Sequence, residues 1–210
     1  MAILKAIKND SLLIFSNMEE MHHGLRKSIE KFVTLKDEEW EEIRFAWKSF
    51  SFHKNEPVTS MGEVEKYFYY IDNGLLRGYF EKNGQEYNMG FSYNGEFSGV
   101  YDSLIFQKPS DWNVEALEDT VGLKLHHNQL VELQERFPVI KEWLFKFNQQ
   151  VMFGLGIFIR SLLADSAEEK FERLMTQSPH IIQIVPQKHL ASYLGMTPET
   201  FSRMRKKWAT

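Results

Sequence analysis

Toward the C-terminal end of the chain, Glu199, Ser202, Arg203 and Lys206 recur at spacings of three and four residues. On a helix these spacings bring all four side chains onto one face. A carboxylate, a hydroxyl and a guanidinium held side by side can read base edges in a DNA groove. The carboxylate accepts from the cytosine amino group, and arginine donates a bidentate pair to guanine. Lys188, Arg205, Lys206 and Lys207 stand close by in sequence and can neutralise phosphates. The chemistry suggested is recognition of double-stranded DNA. The charge distribution agrees: Gln187–Thr210 carries five basic residues against Glu199 alone, a local charge of +4, which leaves −8 on residues 1–186 of a chain whose total is −4.

Catalytic chemistry finds little support. The chain has no cysteine, which excludes disulfides, iron–sulfur clusters, cysteine-ligated zinc and a thiol nucleophile. Its histidines are His22, His23, His53, His126, His127, His180 and His189, and none forms the His-x-His pair on a strand from which a metal-dependent β-barrel enzyme could be built. Adjacent His22-His23 and His126-His127 point in different directions on any element and read as surface residues. There is no glycine-rich phosphate loop and no Gly-x-Ser-x-Gly elbow. No metal site, resident cofactor or enzymatic activity is expected. The alternatives left open are a haem-sensing or other cofactor-sensing regulator using one of these histidines as axial ligand, and a metal-dependent β-barrel enzyme.

The element that must present the basic face is legible from Pro186 onward. Pro186 suits a first helical turn, Leu190, Ala191 and Leu194 share an inner face, and Gly195 lets the chain leave the helix in a left-handed conformation. Thr197 then caps a second helix that has Pro198 at its first position and Thr200 three residues after the cap. Phe201 and Met204 lie elsewhere around this helix and can anchor it. Two helices about a three-residue turn, with Ala191 and Gly195 allowing a close crossing, describe a helix-turn-helix.

Upstream, apolar residues recur at helical spacing over Met21–Val33 and Asp37–Phe50. Three Asn-Gly pairs follow, at Asn73-Gly74, Asn83-Gly84 and Asn94-Gly95. Their regular spacing predicts short antiparallel strands with tight turns, and so a β-barrel or jelly roll between Phe52 and Leu125. Helical period returns with Leu130, Leu133 and Phe137, ending at Pro138. A long helix is predicted over Val139–Ala164, of about 26 residues and about 39 Å, with a further short helix over Ala167–Met175. The stripe Ile140, Trp143, Leu144, Phe147, Val151, Leu155, Phe158 and Leu162 needs a covering surface. A partner helix from a second subunit makes Trp143, Phe147, Val151 and Phe158 the expected dimerisation residues; packing on the chain's own β-domain is the other reading. Met1–Asp10 lacks the features of a signal peptide, and the longest apolar stretch, Val151–Ile159, is far short of the roughly 20 residues a membrane span requires. A soluble, cytoplasmic protein without membrane partners is expected.

The recognition segment resembles that of the Crp/Fnr superfamily of bacterial regulators, whose recognition helices carry Glu-Thr-x-Ser-Arg, here Glu199, Thr200, Phe201, Ser202 and Arg203. The surrounding run LASYLGMTPETFSR is similar to members common in Bacteroidetes. IDNGLLRGYF at 71–80 and GFSYNGEFSG at 90–99 resemble strands and turns of the family's cyclic-nucleotide-binding-like β-roll. The resemblance implies an α+β fold with a sensor domain over 1–136, a dimerisation helix over 137–165 and a winged helix-turn-helix over 166–210, in a homodimeric transcription regulator. Thr197, Glu199, Thr200, Ser202, Arg203, Lys206, Lys207 and Lys188 are then the DNA-binding set. Because only Lys207–Thr210 follow the recognition helix, any wing must come from Ile181–Val185.

Members that bind cyclic AMP use a glutamate soon after the Gly-Glu-Phe turn for the ribose, and an arginine with a small hydroxyl neighbour for the phosphate. The glutamate position aligns with Val100, and the arginine position aligns near Ser110, followed by Asp111. Only Lys108 offers a positive charge nearby, so cyclic AMP is not expected as a tight ligand. Tyr79, Phe91, Phe97, Phe106 and Trp112 can instead line a pocket for an unidentified apolar or aromatic effector, or simply fill the core of the roll. With Val100, Ser110 and Asp111, the residues Tyr79, Phe91 and Phe97 form the candidate effector pocket.

Overall fold

A computed structural model of the chain describes residues 18–208; the expectation for Met1–Asp10 lies outside them. Helix α1 (18–29) and α2 (Asp37–Ala46) are followed by β1 (Lys48–Phe52), β2 (Pro57–Thr59), β3 (Tyr67–Asn73), β4 (Leu75–Lys82), β5 (Gln85–Tyr93) and β6 (Phe97–Ser98). Then come α3 (Tyr101–Phe106), β7 (Asn113–Ala116), β8 (Thr120–His126), α4 (His127–Arg136) and α5 (Pro138–Ala164). The chain finishes with α6 (Ala167–Gln177), α7 (Ile181–Ile184), α8 (Gln187–Tyr193) and α9 (Pro198–Trp208). The strands form two antiparallel sheets, ordered β1-β8-β3-β6 and β2-β7-β4-β5.

The two-residue alternation of a strand decides how the layers stack. Along β3, Phe68 and Tyr70 turn outward into a core shared with Leu25 and Ile29 of α1, Ile43 of α2, Leu130 of α4 and Trp143 of α5. Tyr69 and Ile71 turn inward and meet Leu76, Val114 and Ala116 of the second sheet. Along β4, Leu76 faces that inner core while Leu75 faces the opposite way, into a third core with Phe171 of α6, Leu190 of α8 and Phe201 of α9. The order is therefore helices, sheet, sheet, helices. This is a jelly-roll-like β-roll rather than a closed barrel.

Three expectations are corrected. The second helix ends at Ala46 instead of Phe50, because Trp47 turns extended and residues 48–52 pair with β8 in unbroken register from Lys48↔Lys124 to Phe52↔Thr120. Ladder pairing there outweighs helical periodicity. Of the three Asn-Gly pairs only Asn83-Gly84 closes a two-residue hairpin, with Lys82 paired to Gln85 and both turn residues at positive φ (55° and 74°). Asn73-Gly74 and Asn94-Gly95 carry the chain from one sheet to the other. The segment expected to supply a wing is helical instead: Ile181–Ile184 forms α7, and no strand occurs among the described residues after His126.

The long helix stands as expected, with 27 residues and a length of about 40 Å. Its first half packs on the sensor. Trp143 is 1% exposed and belongs to the sensor core, while Phe147 makes edge contacts with Phe32, Phe68, Phe97 and Tyr101. Phe158 stacks on Tyr193 of α8, and the exposed Val151 lines a cleft beside the sheets. Of the four residues expected at a dimer seam, Trp143, Phe147 and Phe158 pack against their own chain, while Val151 is 38% exposed. The uncovered stripe runs along Phe145, Gln149, Met152, Gly156, Ile159 and Leu163, all exposed, at the alternating four-and-three spacing of a coiled-coil seam. A side chain at Gly156 would meet nothing within 4 Å.

Candidate nucleic-acid interface

The two C-terminal helices assemble as their sequence directs. Leu194 caps α8, Gly195 takes φ +65°, and the amide of Met196 returns to the carbonyl of Ala191 at 2.9 Å, closing the helix end in a Schellman-like turn. The Thr197 hydroxyl accepts from the amide of Thr200 at 3.2 Å, fixing the first turn of α9. Phe201 is wholly buried against the α8 and α6 side chains and contacts Phe171 edge-on at 5.2 Å. Burying that ring sets the rotation of α9 about its axis.

The consequence is the face that was sought. Glu199, Arg203 and Lys206 are exposed and Ser202 half-exposed, and together with Pro198 they line one shallow surface groove. Backbone amide donation and the Thr197 hydroxyl hold the Glu199 carboxyl below its ordinary range. It is therefore an anionic acceptor at neutral pH. Lys188 is exposed at the start of α8. The remaining members of the expected set divide: the Thr197 and Thr200 hydroxyls lie 3.3 Å apart and are engaged in the helix cap, and Lys207 pairs with Glu168 of α6 at 2.5 Å. These three hold the reader together.

What sequence reasoning missed is how the reader is fastened. The side chain of Arg77 on β4 is 5% exposed and donates to Glu115 at 2.7 Å and Glu86 at 2.6 Å. The same guanidinium lies 3.0 Å from Nδ1 of His189 and 3.3 Å from the Asn88 amide oxygen. Arginine can only donate, so the imidazole must accept through Nδ1 and carry its proton on Nε2. Burial first, then the nearby charges of Arg77 and Lys188, depress the His189 pKa to about 4, against the pull of Glu86 and Glu115. One turn on, Ser192 accepts from the Asn88 amide and donates to the Glu86 carbonyl, both at 3.1 Å. Leu75 and Leu117 of the sensor belong to the reader's own core, so that core is continuous with residues outside 166–210. An arginine alternating with apolar residues on a strand was the available signal, but its partner lies 112 residues away.

The residues expected at an effector pocket are only partly brought together. A cavity of about 410 Å³ lies between the sheets and the middle of α5, walled by Met89, Phe91, Phe97, Tyr101, Trp112, Val151 and Leu155. Of the expected residues, Phe91 and Phe97 line this cavity. Tyr79 is turned to the outer face, its ring 3.9 Å from the Arg77 guanidinium, and Val100 is buried in the inner core. Ser110 is buried and exchanges hydrogen bonds with the Trp112 backbone, Asp111 points to solvent, and Phe106 is exposed. For Ser110 and Asp111 the loop between α3 and β7 decides the direction, and no periodicity encodes it. Of the histidines, His22 is buried edge-on to Trp40, contrary to the surface reading. Among the described residues no cluster of three His, Asp or Glu could hold a metal ion.

Comparison with known proteins places this geometry. Residues 49–137 match the family model of the cyclic nucleotide-binding domain. Among solved structures, FixK2 from Bradyrhizobium japonicum superposes with a TM-score of 0.69 at 18% identity, covering 78% of this chain and 84% of that one. The c-di-GMP-responsive global regulator CLP of Xanthomonas campestris gives 0.63 at 16% identity, covering 83% and 92%. The catabolite activator protein of Thermus thermophilus gives 0.51 at 21% identity, covering 85% of each chain. No curated protein matches significantly in sequence. No helix among the described residues is long and apolar enough to cross a membrane.

Proposed function

We propose that this chain, which carries a cyclic nucleotide-binding domain at residues 49–137 within the fold of the Crp/Fnr-type regulators, is a sequence-specific, homodimeric, cytoplasmic DNA-binding transcription regulator and not an enzyme. The observation that carries this reading is the exposed Glu199, Ser202, Arg203, Lys206 face of α9, held outward by the buried Phe201 on the other side of the helix. In a dimer paired along the outer stripe of α5, two such faces would address successive major grooves about 34 Å apart on a near-palindromic site. Glu199 and Arg203 read base edges, and Lys188 and Lys206 contact phosphates.

The effector site of this reading is the cavity between the sheets and α5. Cyclic AMP is not its tight ligand, since the cavity lining holds no lysine or arginine for a phosphate and brings the carboxylate of Asp102 instead; micromolar affinity in a calorimetric titration would overturn this. The aromatic walls favour an apolar or aromatic effector. The reading as a whole is tested by selecting binding sites from a random duplex library at fixed salt, with wild type and Arg203→Ala in parallel. A palindromic motif is expected, with the variant losing roughly 10- to 100-fold in affinity and relaxing at one position. No enrichment by wild type, with or without added cell extract, would refute it.

A further inference from the structure

We propose that Arg77, a buried residue of the β-roll outside α8 and α9, positions the DNA-reading helices, and that the strand bulge beside it makes their placement depend on what fills the sensor cavity. This rests on the DNA-binding reading and adds the regulation of that site. The fastening is directional. The guanidinium is locked by two carboxylates and also turns its Nη1 toward Nδ1 of His189, while Ser192 is bonded to both Glu86 and Asn88. Two successive turns of α8 are thereby fixed to β5 and β4. Helix α9 follows, because Phe201 packs into the same core as Leu190, Ala191 and Leu194.

The link to the cavity runs through neighbouring residues on the same strands. Arg77 faces the reader, and Gly78, next along β4, lines the cavity. Opposite them the ladder slips: Gly78 pairs with Gly90 but Tyr79 pairs with Asn88, leaving Met89 as the extra residue of a bulge. Met89 and Gly90 line the cavity, while Asn88 bonds to Arg77 and Ser192. A bulge is the place where a strand re-aims its side chains. Displacement on the cavity side therefore moves the groups that hold α8.

Gly90 provides an occupant built into the chain. A Cβ there would meet nothing within 4 Å, and Gly90 is not among the glycines with positive φ. The experiment measures affinity of the full-length protein for its selected operator and for an unrelated duplex, by fluorescence anisotropy across a salt series. Gly90→Leu is compared with wild type, and again in Arg77→Met and His189→Gln backgrounds; the second acts from the reader's side and leaves the sheet intact should the first fail to fold. Gly90→Leu is expected to shift operator affinity at least fivefold in the wild-type background and less than twofold in either altered background. Each background alone should lower the operator-to-unrelated ratio with the salt slope unchanged, as suits a group that touches no phosphate. Mere loss of folded protein would lower both affinities together. Equal shifts in all backgrounds, or no shift in any, would overturn the proposal while leaving the regulator reading intact. Absence of operator binding by wild type would overturn the regulator reading itself.

Discussion

The placement of the dimer seam can be tested by substituting Met152 with glutamate. Met152 is 72% exposed and sits on the Phe145, Met152, Ile159, Leu163 stripe. Fully burying a methionine side chain stabilises by about 1.5–3 kcal/mol, so closing the seam over Met152 contributes roughly 1.5 kcal/mol. Twofold symmetry counts the residue twice, giving about 3 kcal/mol, and two like carboxylates meeting near the axis add about 1 kcal/mol at the high dielectric of a wet interface. The sum of about 4 kcal/mol corresponds to roughly a thousandfold rise in the dimer dissociation constant. Sedimentation velocity over a concentration series should show wild-type dimers and Met152→Glu monomers, both with native far-ultraviolet circular dichroism. Trp143→Ala serves as the contrast. Its ring is buried in the sensor core, so that variant should lose about 3–5 kcal/mol of folding stability with its association at native concentrations unchanged in kind. Dimers of undiminished affinity in Met152→Glu would refute the seam.

Three further outcomes follow from the geometry. His189 is buried with its pKa depressed from 6.5 to about 4, so the unfolded chain binds more protons between those values and stability must rise with pH across that window. At pH 4.5 this one group costs about 2 kcal/mol relative to pH 7, with Arg77, Lys188, Glu86 and Glu115 as the charges facing it; denaturant titrations should show a smaller drop in His189→Gln, and an equal drop would count against the assignment. Gly122 on β8 lies where a Cβ would come within 2.0 Å of the Tyr70 carbonyl oxygen, so Gly122→Ala should destabilise by about 3 kcal/mol, read as a lowered melting temperature. Thr197→Ala removes the cap on α9 and should cost about 1 kcal/mol, seen as faster amide exchange at Thr200.

The helix-turn-helix and its exposed polar face were legible because they are local. The spacing of Leu190, Ala191, Leu194 and Phe201, the glycine at 195 and the threonine cap at 197 act within a few residues of one another, so periodicity and capping suffice to write them down. The same holds for the length of α5 and for the hairpin at Asn83-Gly84. Where two readings competed for the same residues, only tertiary structure chose. Trp143 and Phe147 carry a helical stripe that any apolar surface could cover, and the aromatic core of the β-roll covers it, which leaves Met152 and Ile159 among the exposed apolar residues of α5. Residues 48–50 kept a helical period but were captured by the edge of a sheet whose partner strand lies more than 70 residues away. Val100, Ser110 and Asp111 were placed by alignment along the chain, whereas their directions are set by a loop. The fastening of Arg77 to His189 joins residues 112 positions apart, and a buried charge declares its partner only once the fold has brought the two together.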